Sequence, residues 1–336
     1  MKKIIILLFT LTLTILPSCS QVVKISANDA VALALKNNLA LQAKRKEIDI
    51  MKQEVKMADA LKNPQVQSNI LTGSIGKANS SQVGLALPVE IAKRGVRKKA
   101  AIANMRLVES QVRQAELDLK IKVMSAYFDV VYMKSVVAIL QQREELYKNM
   151  KVLAELKPKN SQNYEIEKLQ ADIRHKKQII LLNKAKANLL YAQFHLNDTL
   201  NLQDNSVMYD AREDSLFQEH ITLLDIDLPE YKVIEDVAMK FSYSIRIAED
   251  NIEKSQKELS VAKHKVIPDI TVAGGYAYSN DGKANGAFIG GFVDVPMLYT
   301  YRPEVNRAKI VYERTKIDKL SFENKLKFAL KEEIGR

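Results

Sequence analysis

Apolar residues recur in steps of three and four along one stretch of the chain, between residues 94 and 156. The series comprises Val108, Val112, Ala115, Leu119, Val123, Ala126, Val130, Met133, Val137 and Leu140. This spacing places the side chains on one face of a helix, as in coiled coils. Neither proline nor glycine occurs between Gly95 and Pro158. The pattern therefore predicts a single helix spanning roughly 90 Å.

A second long helix is predicted after the break "LKPKNSQNYEIEK". Pro158 is expected to end the first helix, because proline lacks an N–H and clashes with the preceding turn. Ser161 is a candidate N-cap for the helix that returns as far as residues 194–197. The segment 197–227 is rich in Asp and Asn and predicts a linker. A further helix is predicted over residues 230–265.

Strict alternation of apolar and small or polar residues marks two pairs of strands. Val83, Leu85, Leu87 and Val89 alternate with Gly84, Ala86 and Pro88, while Ile270, Val272, Tyr276 and Tyr278 alternate with Thr271, Ala273, Gly275 and Ala277. The predicted strands are residues 65–75, 82–90, 269–279 and 287–295. Strands of this length can cross a bilayer at a tilt. A two-sheet soluble domain capping a helical bundle would show the same alternation.

The two strand pairs belong to an internal repeat. The segment "ALKNNLALQAKRKEIDIMKQEVKMADALKNPQV" from Ala34 matches "AMKFSYSIRIAEDNIEKSQKELSVAKHKVIPDI" from Ala238. The prolines Pro64 and Pro268 align in this comparison. Pro88 and Pro296 occupy similar places, and each is followed by a basic start to a helix. Each copy is therefore predicted to be helix, strand, strand, helix.

The N-terminus predicts export from the cytoplasm. Lys2 and Lys3 precede an apolar run over residues 4–16, which is followed by "LPSC". A short basic region followed by an apolar region too short for a comfortable bilayer span is typical of a signal peptide. We predict a signal peptide over residues 1–18 and lipidation of Cys19, the single cysteine. A plain signal peptide with an incidental cysteine is the alternative.

Composition and motifs argue against an enzyme and against a nucleic-acid-binding protein. The net charge of +11 permits nucleic acid as a partner, but the bases alternate with acids along helices and no nucleic-acid-binding motif is present. His175, His195, His220 and His264 do not lie at metal-ligand spacing, and His175 and His264 are predicted on solvated helix faces. No catalytic motif is found. We expect no catalytic residues, no metal site and no cofactor.

The segment "LALPVEIAKRGVRKKAAIA", the acylation signal and the duplicated unit closed by two prolines resemble the TolC-type outer-membrane efflux proteins. The resemblance extends from residue 25 to the end of the chain. Pro88, Val89, Glu90, Lys93 and Arg94 fit the family's segment that leaves the second strand. Members of the family that work with metal or cation pumps often carry Pro-Ile-Glu followed by Gly-Gly-Lys-Arg in this segment. Ile91 and Ala92 depart from that pattern, because they replace small or glycine positions.

The resemblance implies a mainly α fold with membrane β-strands. Three copies would pool four strands each into a twelve-strand barrel in the outer membrane, and their coiled-coil helices would form a periplasmic tube. The tube would be a passive exit duct for drugs, metals or other small solutes, driven by an inner-membrane pump through a periplasmic adaptor protein. Two sets of residues are assigned on this basis: the adaptor-contact hairpin Lys157, Pro158, Lys159, Asn160, Ser161 and Gln162, and the membrane–periplasm elbow Pro88, Glu90, Lys93, Arg94, Pro296 and Arg302.

The implied organisation is a first repeat over residues 19–200, a linker over 201–229 and a second repeat over 230–336. The helix from Arg302 ends before the position that corresponds to Pro158, so a C-terminally truncated member is expected. The alternatives are a lipid-anchored periplasmic coiled-coil scaffold or adaptor, and a non-functional truncated efflux protein. A barrel predicts one apolar strand face, and Tyr276, Tyr278, Phe288 and Phe292 are placed as its aromatic residues. The bases at the elbow are expected to meet anionic groups at the membrane surface or to be solvated.

Overall fold

The computed structural model describes residues 21–71, 80–158, 163–203, 206–212, 229–279 and 285–334. Its helices are α1 (Ala27–Asn37), α2 (Leu39–Asp59), α3 (Lys93–Glu155), α4 (Tyr164–Leu200), α5 (Tyr231–Phe241), α6 (Tyr243–His264) and α7 (Arg302–Ile334). Its strands are β1 (Gln21–Ile25), β2 (Gln65–Leu71), β3 (Ser80–Val89), β4 (Val207–Ala211), β5 (Ile270–Ser279) and β6 (Gly286–Val293). The predicted helix–strand–strand–helix repeat is confirmed.

The chain forms two compact units, each assembled from separate parts of the sequence. One comprises Met1–Ala43 and Ala115–Leu228, and the other comprises Lys44–Gln114 and Pro229–Arg336. We call them unit 1 and unit 2. Helix α3 continues from unit 2 into unit 1, with Gln114 and Ala115 at the division.

Unit 1 is built around a buried cluster under a two-stranded sheet. Strand β1 pairs in parallel with β4, with Val23 opposite Tyr209. Val123, Tyr127 and Val130 of α3 are fully buried there. The Tyr127 hydroxyl donates to Ile25 O at 2.9 Å and accepts from Arg212 N–H at 3.2 Å. The phenol therefore ties α3 to both strands.

Helices α3 and α4 run antiparallel in unit 1. Lys151 Nζ lies 2.7 Å from Asp172 Oδ1, and His175 Nε2 lies 2.6 Å from Glu144 Oε1. The sequence-derived placement of His175 on a solvated face was wrong, because its side chain is only 14% exposed and packs against α3. All ten positions of the predicted apolar seam of α3 are buried or half-buried, which confirms the seam.

Unit 2 contains a four-stranded antiparallel sheet in the order β2-β3-β5-β6. The helices follow the same order. Asp59 of α2 contacts Lys98 of α3 at 2.8 Å, Ser110 Oγ of α3 donates to Asp250 Oδ2 of α6 at 2.5 Å, and Ser255 of α6 bonds to Thr315 of α7 at 2.9 Å. Each strand is therefore joined to one helix, and the helices of neighbouring strands pack against one another.

The first helix of each copy is broken at the same place in the repeat. Asn38 separates α1 from α2, and Ser242 separates α5 from α6. Asn38 N–H donates to Ala34 O at 2.9 Å and Ser242 N–H donates to Ala238 O at 3.0 Å. The prediction of one continuous helix over residues 230–265 was therefore wrong at Ser242. The segment interpreted as a linker also contains β4.

Candidate functional site: a two-faced sheet and its charged junction

One face of the sheet is apolar and open. The register places Val83 opposite Tyr276 and Val66 opposite Leu85, and residues paired in this way share a face. Ser68 and Ser81 also lie on this face. Its large apolar side chains are Val66, Ile70, Val83, Leu85, Leu87, Val89, Ile270, Val272, Tyr276, Tyr278, Ile289 and Val293. Their exposure ranges from 36% to 86%. Among the described residues of unit 2, nothing buries this face.

The opposite face is small and polar. It carries Gln65, Gln67, Asn69, Ser80, Gln82, Gly84, Ala86, Thr271, Ala273, Gly275, Ala277 and Ser279. Phe288 lies opposite Gly275 and Phe292 lies opposite Thr271, so both phenylalanines belong to this small-polar face. Their placement with Tyr276 and Tyr278 on the apolar face was wrong. None of the residues in these four strands is charged.

Two glycines allow the central strands to approach closely. Gly84 and Gly275 are register partners in β3 and β5. A Cβ on Gly275 would lie 2.5 Å from Gly84 Cα and 2.9 Å from Phe288 Cε1. A Cβ on Gly84 would lie 2.8 Å from Gly274 O and 3.0 Å from Phe288 Cζ. The Phe288 ring therefore lies over both glycines, in space that a larger residue would fill.

The edges of the sheet are β2 and β6. Within the described residues, neither strand pairs with another strand on its outer side. An open edge presents a row of backbone donors and acceptors that can pair with another chain. In a membrane such groups must be paired, because hydrocarbon offers no water to satisfy them.

A cluster of charges closes the helix-side end of the sheet. We define this junction cluster as Lys62, Glu90, Lys93, Arg97 and Asp269. Lys62 Nζ lies 3.0 Å from Asp269 Oδ2 and 3.5 Å from Glu90 Oε1. Lys93 Nζ lies 3.1 Å from Asp269 Oδ1, and Arg97 Nη1 lies 2.8 Å from Glu90 Oε1. The Glu90 side chain is only 6% exposed and is enclosed by these basic partners.

The same bases cap the C-terminal end of α2. Arg97 donates to Ala58 O at 2.8 Å and to Ala60 O at 3.1 Å. Arg94 Nε donates to Asp59 O at 2.7 Å. Cations are favourable at this end of a helix, where carbonyls are left without partners. Lys93, Arg94 and Arg97 are thus engaged within the chain.

The pKa values at the junction follow from these contacts. The hydrogen bond from Lys98 lowers the pKa of Asp59. The hydrogen bond to Asp269 raises the pKa of Lys62. Burial alone would raise the pKa of Asp269, but the bonds from Lys62 and Lys93 outweigh it and the pKa is lowered. All three groups are therefore charged at neutral pH.

The second copy has a simpler junction. Lys265 Nζ lies 2.6 Å from Glu304 Oε2, and the Tyr299 hydroxyl lies 3.3 Å from Glu304 Oε1. The bond from Lys265 lowers the pKa of Glu304. Pro296 is half-buried, and Arg302 is exposed at the start of α7.

Known structures share this architecture, although no family model and no curated protein matches the sequence. The Campylobacter jejuni CmeC outer membrane channel is 15% identical, with a TM-score of 0.68 over 90% of this chain and 70% of that one. CusC is 15% identical, with a TM-score of 0.67 over 93% and 75%. The open-state Neisseria gonorrhoeae MtrE outer membrane channel is 14% identical, with a TM-score of 0.68 over 90% and 72%. This chain has the TolC-type outer-membrane channel fold.

The residues assigned to the adaptor-contact hairpin lie between α3 and α4 in the chain. Lys157 Nζ contacts Glu167 Oε2 at 2.5 Å, which ties the end of α3 to the first turn of α4. Pro158 follows directly. Lys159, Asn160, Ser161 and Gln162 lie outside the described residues, as does Cys19.

Large apolar side chains at the end of α3 and the start of α4 are exposed to solvent. Leu153 is 65% exposed and Leu156 is 75% exposed, while Ile166 and Leu169 of α4 are 57% and 60% exposed. A groove between the two helices is lined in part by Met150, Leu153 and Arg174. The end of α3, the start of α4 and this groove together form an apolar surface bordered by charges.

Two other features of the chain bear on its class. Among the described residues, no group of three or more His, Cys, Asp or Glu side chains could hold a metal ion. Within the same residues, α3 alone is long and apolar enough to span a membrane by length and composition. The core helix of a soluble protein passes the same test.

Sequence reasoning did not identify Lys62 and Asp269 as members of the junction cluster. Lys62 and Asp269 flank the aligned prolines Pro64 and Pro268, which was the available signal. The contacts themselves join residues 207 positions apart, a pairing that local patterns do not reveal.

Proposed function

We propose that the chain is the outer-membrane channel of a tripartite efflux system. The observation that carries this proposal is the uncharged sheet with one open apolar face and one small-polar face. Strands that alternate in this way, apolar toward lipid and polar toward a lumen, characterise membrane barrels. The TolC-type fold supports the same function.

Closure of the barrel requires other copies of the chain. Four strands with two open edges cannot form a barrel in lipid. A homotrimer would join β6 of each copy to β2 of the next and give twelve strands. Each copy would then continue into the periplasm through its helices.

The junction cluster suits the boundary between membrane and periplasm. Pro88, whose missing N–H is tolerated near a strand end, precedes Glu90, Lys93 and Arg94. Pro296 and Arg302 mark the corresponding boundary in the second copy. Lipidation of Cys19 would add an anchor in the outer membrane lipid.

The apolar surface at the α3–α4 hairpin suits contact with a periplasmic adaptor, which would connect the duct to an inner-membrane pump. Exposed Leu153 and Leu156 would supply apolar contact area, and Lys157 with Pro158 would shape the turn. An adaptor cross-linked in cells to a photoreactive residue at Leu156 tests this contact. The exposed Lys122 of α3, outside the hairpin, is the control position.

The alternative is a lipid-anchored periplasmic scaffold or adaptor without membrane strands. This alternative leaves the apolar face in water, where twelve large side chains would be exposed without function. Continuous apolar patches of this kind mark interaction or membrane surfaces. In the proposed barrel, the same face contacts lipid instead of water.

Paired lysine substitutions on the two faces of β3 test the proposal. Leu85→Lys places a charge toward lipid, at a cost of about 2–4 kcal/mol per copy near the midplane. Gln82→Lys places the same charge toward the lumen. We expect heat-sensitive trimers in the outer membrane for wild type and Gln82→Lys, and a severe loss for Leu85→Lys. A soluble periplasmic monomer, or equal assembly of both variants, would contradict the membrane assignment.

A further inference from the structure

The small-polar face contains two aromatic side chains that its composition does not explain. Phe288 and Phe292 are both on β6, at opposite ends of that strand. They are four residues apart, or roughly 13 Å along a strand. The other large apolar side chains of β6, Ile289 and Val293, lie on the apolar face. The two phenylalanines are therefore exceptions to the alternation of large apolar and small residues in β6.

The two rings differ in their surroundings. Phe288 covers Gly84 and Gly275 and is half-buried. Phe292 is 57% exposed and lies opposite Thr271, whose own register partner in β3 is Pro88. Phe292 thus presents an open aromatic surface at the helix-side end of the sheet.

We propose that Phe292, supported by Phe288, is a contact site for organic solutes with aromatic or apolar surface. This inference rests on the proposed function, because it assigns the small-polar face to the lumen. Three copies would place three Phe292 rings around the passage where the helices meet the barrel. The site determines which solutes are retained briefly as they pass.

The chemistry of this face favours organic solutes over metal ions. Pores that select simple cations line their passage with acidic rings or carbonyls. The strands of this sheet offer no carboxylate, and their polar groups are amides and hydroxyls. Aromatic rings attract apolar surface and, through their faces, organic cations. A solute that combines both properties would gain most from Phe292.

Block of the channel current by tetraphenylphosphonium tests the site. The full chain is purified from outer membranes as a trimer and reconstituted in planar bilayers. Phe292→Ala removes the ring, and Phe292→Tyr keeps it. Val293→Ala, at the next position but on the apolar face, is the matched control. We expect Phe292→Ala to raise the half-blocking concentration about two- to fivefold, while Phe292→Tyr and Val293→Ala resemble wild type.

The outcomes distinguish failure of the aromatic contact site from failure of the proposed channel function. If Phe292→Ala conducts but is blocked like wild type, or if Val293→Ala shows the same rise, the aromatic site is refuted and the channel function stands. If the wild-type trimer gives no current, the proposed function fails, and this inference fails with it. Phe288→Ala is measured separately, because uncovering the two glycines can also weaken the sheet.

Discussion

Lys62 and Asp269 lie 207 residues apart in the chain, and their side chains form a 3.0 Å ion pair. Lys62 precedes β2, and Asp269 immediately precedes β5, so the pair joins the two copies of the repeat. Glu90, at the end of β3, contacts the same lysine. Three strands are therefore fixed to one another at the point where they become helices.

Asp269→Asn is expected to weaken this junction. The substitution leaves Lys62 and Lys93 without their shared carboxylate, in a place where Asp269 is 18% exposed. We expect a loss of about 1–2 kcal/mol in the free energy of unfolding, the range for a hydrogen bond to a charged group that is partly screened. Denaturant unfolding in detergent measures it. Asp318→Asn, which removes an exposed pair with Arg314, should change stability by less than about 0.5 kcal/mol; equal losses would contradict a special role for Asp269.

Gly275→Ala should prevent correct pairing of β3 with β5. The added methyl would meet backbone atoms, among them Gly84 Cα at 2.5 Å, and backbone cannot move aside without shifting a strand. Overpacking of this kind costs about 1–3 kcal/mol or more. Trimer yield and heat stability measure the effect. Gly290→Ala in β6 is the control, because a Cβ there meets nothing within 4 Å; a comparable loss in this variant would show that the close approach is not the cause.

The periodic parts of the fold could be predicted from sequence. The seam from Val108 to Leu140 and the alternation in β3 and β5 are local signals with a fixed period. The parallel pairing of β1 with β4 could not be predicted. Both strands have only five residues, and they lie nearly two hundred positions apart in the chain. Strands this short and this distant leave no local sequence pattern that indicates their pairing.

The face of each aromatic residue also escaped prediction. Tyr276 and Phe288 could be placed in strands, but their relative faces depend on the pairing register of β5 with β6. A shift of one residue exchanges the faces of a strand, and the Asn- and Gly-rich segment between β5 and β6 predicts a turn without fixing the register. Phe288 lies opposite Gly275, and its ring fills the space left by Gly84 and Gly275 where β3 and β5 approach closely. This packing depends on three strands and is not visible in a local pattern.

Asp172 makes the α3–α4 hairpin sensitive to acid. Hydrogen bonds from Lys151 and Lys176 lower its pKa to about 2. Because the folded pKa lies below the unfolded value, the stabilising contribution is present above about pH 4 and is lost as the pH falls toward 2. Asp172→Asn should therefore lower the thermal midpoint at pH 6 and approach wild type as the pH falls through about 2. Asp129→Asn, at an exposed position of α3, is the control and should leave the thermal midpoint close to wild type at both pH values. A difference between Asp172→Asn and wild type that stays constant at all pH values would contradict the prediction.

Tyr127→Phe tests the attachment of the two-stranded sheet to unit 1. The hydroxyl is fully buried and links Ile25 O with Arg212 N–H. Its removal retains the packing of the ring but deletes two hydrogen bonds to backbone, and Ile25 O keeps only its bond from Arg212 N–H at 2.9 Å. We expect a loss of about 1–2 kcal/mol, with faster proteolysis near β4 than elsewhere. Tyr132→Phe, at an exposed position of the same helix, should leave both properties unchanged. If proteolysis near β4 stays at the wild-type rate in Tyr127→Phe, the hydroxyl does not attach the sheet, and the other contacts of β4, such as the two bonds between Asn197 and Tyr209, are sufficient.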